Sequence, residues 1–196
     1  MTKTLAYYNE NAIVYSQNTL DIAFDTKRDM LLKYLKPQAH ILDLGCGSGR
    51  DSKAFLEKGY TVTAVDGSVE LCKLASEAIG QVVVCKRFEQ ITDIEYYDAV
   101  WACASLLHLP SAELSDILIK VSAAIKPGGY FYVSFKYGNF EGEREGRYFT
   151  DFTLETFTEF ITPLSDLILV ESQVSEDVMQ GRENLKWLNV VMRKQG

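Results

Sequence analysis

Five short runs of the chain are apolar almost without interruption: HILDLGC (40–46), TVTAVD (61–66), VVVC (82–85), YDAVWACA (97–104) and GYFYVSFK (129–136). They are rich in Val, Ile, Tyr and Phe and show little polar alternation, the pattern of strands buried on both faces of a parallel sheet. Between them the apolar positions recur at helical spacing. RDSKAFLEKG (50–59) sets Ala54 and Phe55 together, with Leu56 beside them, and stops at Gly59. SVELCKLASEAIG (68–80) opens on Ser68 as an N-cap and puts Leu71, Leu74, Ala75 and Ala78 on one face. SAELSDILIKVSAAIKPGG (111–129) repeats the theme with Leu114, Ile117, Leu118, Val121 and Ile125, and KPGG terminates it. This alternation predicts a doubly wound α/β sheet, mostly parallel.

The two ends of the chain break the rhythm. The first 36 residues, rich in Tyr, read as one or two helices laid against the sheet as a lid. LILVESQVSED (167–177) and LKWLNVVMRK (185–194) read as an antiparallel strand pair joined by VMQGREN. YGNFEGEREGRYF (137–149) is polar, carries Gly138, Gly142 and Gly146, and is too long for a tight turn. There is no internal repeat and no composition shift, so residues 1–196 are expected to form a single domain.

Composition removes several function classes. The formal net charge is −7 and the longest basic groupings are the dipeptides Lys27-Arg28 and Lys86-Arg87, which argues against a DNA-binding surface. Cys46, Cys72, Cys85 and Cys103 form no C-x-x-C pair, so no metal site is expected. The start lacks a signal-peptide core and no apolar run is long enough to span a membrane, so a reducing cytoplasm is the expected setting. Oligomeric state is not legible.

The candidate chemistry sits in HILDLGCGSGRDS (40–52). The glycines are spaced G-x-G-x-G, one residue short of the dinucleotide fingerprint, and Asp43 stands two residues before Gly45, where a pyrophosphate would lie. A carboxylate there repels a phosphate and favours a cation. S-adenosylmethionine (SAM) resolves the conflict: it has an adenosine, no phosphate, and an ammonium for Asp43. Gly45, Gly47 and Gly49, with Cys46 fitted tightly among them, let the backbone come close. Arg50 or the helix start after Gly49 is placed to attract the methionine carboxylate. Asp66, closing the second strand 21 positions after Gly45, can accept both ribose hydroxyls.

With these residues in place, LDLGCGSGRDSKAFLEKGYTVTAVDGS resembles the first two motifs of the class I SAM-dependent methyltransferases. YDAVWACASLLHL is similar to their fourth-strand motif and IKPGGYFYVSFK to their entry into the fifth strand, so the likeness runs from about residue 40 to residue 136. Within the class the chain looks most like small bacterial tellurite-resistance-type methyltransferases. The resemblance implies a Rossmann-like methyltransferase sheet, SAM as methyl donor and S-adenosylhomocysteine as product. It implies Gly67 and Ser68 beside the adenine, Leu71 as an apolar cover, and Ala102 and Ser105 lining the cleft after the fourth strand. Where many relatives carry an Asp after the third strand, this chain has CKRFEQI, leaving Arg87, Phe88 and Glu89 as candidates to contact the ring.

Methyl transfer from a sulfonium needs positioning more than a nucleophilic residue. His108, after the fourth strand, is the candidate base, and the alternative is a pocket-lining residue that orients the loop. His40 lies at the opposite end and is expected to be structural. Tyr7, Tyr8 and Tyr15 belong to the lid, with Tyr15 placed for the methionine end, and Trp101 is expected in the core. The 137–149 segment, with Arg144, Arg147, Tyr148 and Phe149, is the expected acceptor contact, braced by Arg182 and Trp187. The acceptor is expected to be a small molecule or a soft chalcogen species. A tRNA or protein acceptor, a non-catalytic SAM-binding module and an NAD(P)-dependent reductase are the rivals.

Overall fold

The computed structural model of the protein describes residues 2–164, 166–179, 181–182 and 184–196. Among them the chain runs through α1 (Lys3–Glu10), α2 (Ala12–Thr19), α3 (Asp25–Leu32), β1 (His40–Leu44), α4 (Arg50–Glu57), β2 (Thr61–Asp66), α5 (Val69–Ile79) and β3 (Val84–Cys85). It continues through β4 (Tyr97–Ala102), α6 (Ser111–Ala124), β5 (Ile125–Lys136), β6 (Glu141–Arg144), β7 (Arg147–Thr150), α7 (Leu154–Ile161), β8 (Leu167–Glu176) and β9 (Lys186–Lys194). Two short 3-10 turns, Phe88–Gln90 and Leu106–His108, precede β4 and follow it.

The seven-stranded sheet has the order β3-β2-β1-β4-β5-β9-β8. Strands β1 to β5 are parallel, and β9 runs antiparallel to both β5 and β8. The order reverses between β1 and β4, so the crevice at their C-terminal ends is where a ligand can enter. Alternation along each strand feeds two cores. Leu42 and Leu44 of β1, Val100 and Ala102 of β4, and Phe131, Val133 and Phe135 of β5 pack with α6 and α7 on one face. Ile41, Ala99, Trp101 and Tyr132 face the other, against α3, α4 and α5. Trp101 stacks on Tyr132 at 3.8 Å between ring centroids and meets Phe55 edge-on at 5.5 Å.

Several expectations are corrected here. The lid has three helices rather than one or two. Of VVVC only Val84 and Cys85 pair, because β3 is an edge strand and Val82 is 79% exposed. Ile125 belongs to β5, not to the α6 face. The register shifts between its pairing with Tyr97 and that of Tyr130 with Ala99, and a Cβ on Gly129 would sit 2.7 Å from the Asp98 carbonyl. Pro127, with no N–H to give, is at home in such an irregular stretch. The 137–149 segment is a hairpin: Glu141–Arg144 pairs with Arg147–Thr150 across Glu145 (φ 52°) and Gly146 (φ 76°). Two left-handed residues are what a two-residue hairpin turn requires. The 178–184 connection includes residues 180 and 183, which lie outside the described residues. No helix among the described residues is long and apolar enough to cross a membrane.

Candidate functional site

The turn after β1 is set by hydrogen bonds that only a tight backbone path can make. The amides of Gly45 and Cys46 both donate to the Val65 carbonyl, at 2.9 and 3.0 Å, tying the turn to the end of β2. Gly45 has φ 82°, and a Cβ there would overlap the Cβ of Ser105. Ser105 is itself held by a 2.6 Å hydrogen bond from its Oγ to the Leu44 carbonyl. Gly47 lies under Tyr15, whose ring would be 3.2 Å from an added Cβ.

Two cavities adjoin this turn. The larger, about 320 Å³, is lined by Gly45, Gly47, Asp66, Gly67, Leu71, Arg87, Phe88, Glu89 and Ser105, with Leu5 from the lid, Tyr148 from β7 and Leu109 from the turn after β4. The smaller, about 230 Å³, is lined by Asp43, Cys46, Arg50, Asp51, Cys103, Ser134, Lys136, Arg147 and Phe149, with Phe24 and Lys27 from α3 and its approach. Tyr8, Tyr15, Gly45, Ala104 and His108 line both. They form the neck between the two spaces.

A carboxylate stands in each. Asp66 accepts from the amides of Gly47 (2.9 Å) and Ser68 (2.8 Å). Burial pushes its carboxyl above the usual range, against those two amides and that of Gly67. Asp43, 2% exposed, accepts a 2.6 Å hydrogen bond from Ser52 Oγ, and no cation pairs with it among the described residues. Burial, helped by the nearby charge of Asp51, pushes its carboxyl up to about 7, while Ser52 and Arg50 pull the other way.

Arg50 is engaged elsewhere. Its guanidinium lies 3.0 and 2.7 Å from the two oxygens of Asp51 and 4.0 Å over the Phe24 ring. Asp51 also accepts from Arg28 at 2.7 Å and from Trp101 Nε1 at 3.0 Å. Burial works against its charge, but the guanidiniums of Arg50 and Arg28 hold its carboxyl below the usual range.

His108 is neutral and doubly bonded. Its Nδ1 lies 2.7 Å from the Tyr148 carbonyl, which can only accept, so Nδ1 carries the proton. Nε2 is then the acceptor for the Tyr8 hydroxyl at 2.8 Å. Burial pushes its pKa down to about 4, with Arg147 and Lys136 adding to the shift and the Tyr148 carbonyl opposing it.

Some residues named from sequence stand one layer back from both cavities. Gly49 (φ 82°) is the left-handed entry to α4, packed on Ile79 and Ala75. Ser68, fully buried, caps α5 through Leu71 N and donates to Asn9 Oδ1 at 2.8 Å. Ala102 is enclosed in the core, and Ala104, held at φ 51°, lines the cavities instead. Arg144 turns away to Asp151, 2.5 and 2.8 Å from its oxygens, whereas Arg147 and Phe149 line the smaller cavity. Trp187 and Arg182 also line the smaller cavity; Trp187 donates to Asp177 at 3.0 Å, and Arg182 lies in the 177–185 turn. His40, at the far end of β1, lies 2.8 Å from Thr63 Oγ1 through Nε2. Sequence reasoning passed over Asp51, Ser52, Lys27, Lys136 and Ala104. Nothing local marks them, since Asp51 gains Arg28 and Trp101, and Ser52 gains Asp43, only from other elements.

Comparison with known proteins agrees with this fold. The methyltransferase domain family matches residues 42–133. A ubiquinone biosynthesis O-methyltransferase of Coxiella burnetii is 32% identical over 121 residues, which is 56% of this chain and 51% of that protein. The chain thus spans about half the length of the curated relatives it matches. A Burkholderia thailandensis 1,6-didemethyltoxoflavin-N1-methyltransferase, solved with 1,6-didemethyltoxoflavin and S-adenosylhomocysteine, superposes with TM-score 0.77 and 24% identity, covering 98% of this chain and 85% of that one. The N-methyltransferase NodS of Bradyrhizobium japonicum, solved with S-adenosylhomocysteine, gives TM-score 0.71 and 16% identity, covering 96% and 98%. The sheet order and the glycine turn define a Rossmann-like α/β fold. Within that class, this chain has the class I SAM-dependent methyltransferase fold.

Proposed function

We propose that the chain acts as one domain that transfers a methyl group from SAM to a small-molecule acceptor. Asp43 carries the reading. A buried carboxyl with no cationic partner among the described residues faces the cavity on one side of the glycine turn, and a second carboxylate, Asp66, faces the other. A ligand with an ammonium at one end, a ribose at the other and no phosphate satisfies both.

The residues fit that ligand. Asp66 keeps lone pairs for ribose hydroxyls beside those used by Gly47 and Ser68. Leu71 and Phe88 supply apolar walls for the adenine, with Arg87 and Glu89 paired at the rim, 3.0 Å apart. Asp43 takes the ammonium. The methionine carboxylate falls to Tyr15 and Lys27, because Arg50 is committed to Asp51.

SAM supplies an electrophilic methyl, which an acceptor lone pair takes in line as the C–S bonding pair returns to sulfur. What remains for the protein is alignment and exclusion of water. The neck residues Tyr8, Tyr15, Gly45, Ala104 and His108 occupy the passage between the cavities where donor and acceptor must meet. His108 acts here as a positioning residue, since its lone pair already holds Tyr8, and a proton-taking role would first require that bond to break. A small acceptor is supported by the size of the smaller cavity, about 230 Å³. The Burkholderia protein of the same fold was solved with 1,6-didemethyltoxoflavin and S-adenosylhomocysteine bound.

The test combines calorimetric titration of S-adenosylhomocysteine with transfer of labelled methyl from SAM into a size-fractionated cell extract. Binding together with label in the small-molecule pool is expected. Label in RNA or protein would replace the acceptor class, and binding without any label would leave a non-catalytic SAM-binding module.

A further inference from the structure

Among the cations that line the smaller cavity, Lys27 and Lys136 have no acidic partner among the described residues. Arg50 is neutralised by Asp51, and Arg147 lies 3.0 Å from Glu145. Lys27, on the α3 wall, is 7% exposed and donates to the neutral Gln173 at 2.6 Å. Lys136, at the end of β5, has no ion-pair or hydrogen-bond partner for its ammonium among the described residues and lies 4.5 Å over the Phe149 ring. That ring is also flanked by Arg144 at 4.6 Å and Arg147 at 5.2 Å. The acids that Lys136 feels, Asp151 and Glu145, are already held by Arg144 and Arg147 respectively. Burial and the two neighbouring guanidiniums push the Lys136 ammonium below its ordinary pKa.

A partly buried ammonium crowded by like charge is costly unless something anionic completes the site. The methionine carboxylate is a single anion, and the Tyr15–Lys27 wall accounts for it. Lys136 stands on a different wall, against the β6–β7 hairpin. We propose that the methyl acceptor is itself an anion, a small molecule carrying a carboxylate or comparable oxyanion group held by Lys136 and Arg147 against Phe149. This rests on the reading of the two cavities as the SAM site, with the methionine end on the Asp43–Lys27 side of the smaller one. Anion binding also gives the hairpin a purpose: its alternation turns Arg147 and Phe149 toward the cavity while Tyr148 donates its amide proton to Thr4 of the lid at 3.1 Å.

The experiment uses protein saturated with S-adenosylhomocysteine and two probes of equal shape, 4-hydroxybenzoate and 4-hydroxybenzamide, titrated by calorimetry. The acid is expected to bind at least about tenfold more tightly than the amide. Lys136→Met is expected to erase that preference while S-adenosylhomocysteine affinity and melting temperature stay near the starting values. Lys136→Arg, which keeps the charge, should retain it. Equal affinity for acid and amide, no binding of the acid at millimolar concentration, or a preference that survives Lys136→Met would each overturn the anionic acceptor. Failure of S-adenosylhomocysteine to bind the unmutated protein would overturn the SAM site and this inference with it.

Discussion

The Tyr8 hydroxyl lies 2.8 Å from Nε2 of His108, across 100 residues of sequence, and ties the lid to the turn after β4. The pair has a signature in pH. His108 is pushed down to about 4 in the folded protein against 6.5 unfolded, so between these values the unfolded chain binds more protons. Its contribution to stability is complete above pH 6.5 and is lost as pH falls through 4, about 3 kcal/mol in all. Asp43, raised from 3.8 to about 7, acts in the opposite sense. The His108 effect must therefore be read as a difference between proteins. Urea denaturation at pH 7 and near pH 4.5 should show a larger loss for the wild type than for His108→Gln; equal losses would mean that the buried neutral imidazole is not what titrates.

Asp43 predicts proton release on ligand binding. Near pH 6 the free protein holds much of Asp43 protonated, because its pKa is about 7, and an arriving ammonium favours the ionised form. S-adenosylhomocysteine affinity should therefore rise as pH rises from 5 to 7 and level off above. Calorimetry in two buffers of different ionisation enthalpy should detect the released proton, and Asp43→Asn should abolish it. Unchanged proton release in the variant would place the ammonium elsewhere.

Asp66→Ala should weaken S-adenosylhomocysteine binding by about 1–3 kcal/mol, the cost of losing a charged hydrogen-bond partner. The variant also frees the Gly47 amide that Asp66 holds at 2.9 Å, so loosening of the glycine turn adds to the loss. Calorimetric affinity within twofold of the wild type would mean that the ribose is held by other groups.

Gly45→Ala meets two obstacles, a left-handed φ of 82° and the Cβ of Ser105. The backbone term alone costs about 1–2 kcal/mol. The steric term is removable, so Gly45→Ala/Ser105→Gly should recover part of the lost melting temperature and ligand affinity. No recovery in the double variant would show that backbone strain, rather than the Ser105 contact, sets the requirement for glycine.

Asp51→Ala leaves two guanidiniums, Arg28 and Arg50, without the carboxylate they share. Removing one partner of a buried charge cluster typically costs about 3–5 kcal/mol. Denaturant midpoints should fall accordingly. Arg50, released, then becomes available to an anionic ligand, so any surviving protein should bind S-adenosylhomocysteine with altered salt dependence.

The strands and their burial were legible because a parallel sheet covered on both faces demands continuous apolar runs, and the glycine turn because few residues other than glycine tolerate its backbone. Asp43 and Asp66 were legible for the same local reason: each is a charge at the end of a buried strand. The hairpin at 141–150 was not legible because its strands are short and mostly polar and are held by contacts made elsewhere in the chain, to α1 and to the turn after β4. Assigning the role of His108 needed the structure, since the tautomer depends on a carbonyl 40 residues away. Arg50 could not be excluded as the carboxylate partner until the Asp51 side chain was seen turned onto its guanidinium, which adjacency in sequence does not require.

The chain's local pattern, by itself, determined the doubly wound order of elements, the glycine turn and the two acids, Asp43 and Asp66, that line the cavities beside it, because each follows from burial or backbone freedom within a few neighbouring residues. Which cations are already paired, which imidazole nitrogen carries a proton, and which ammonium is left facing the smaller cavity were decided only by tertiary structure. Electrostatic satisfaction depends on which groups packing turns toward one another, and for pairs such as Arg28–Asp51 and Tyr8–His108 no short window of sequence contains both partners.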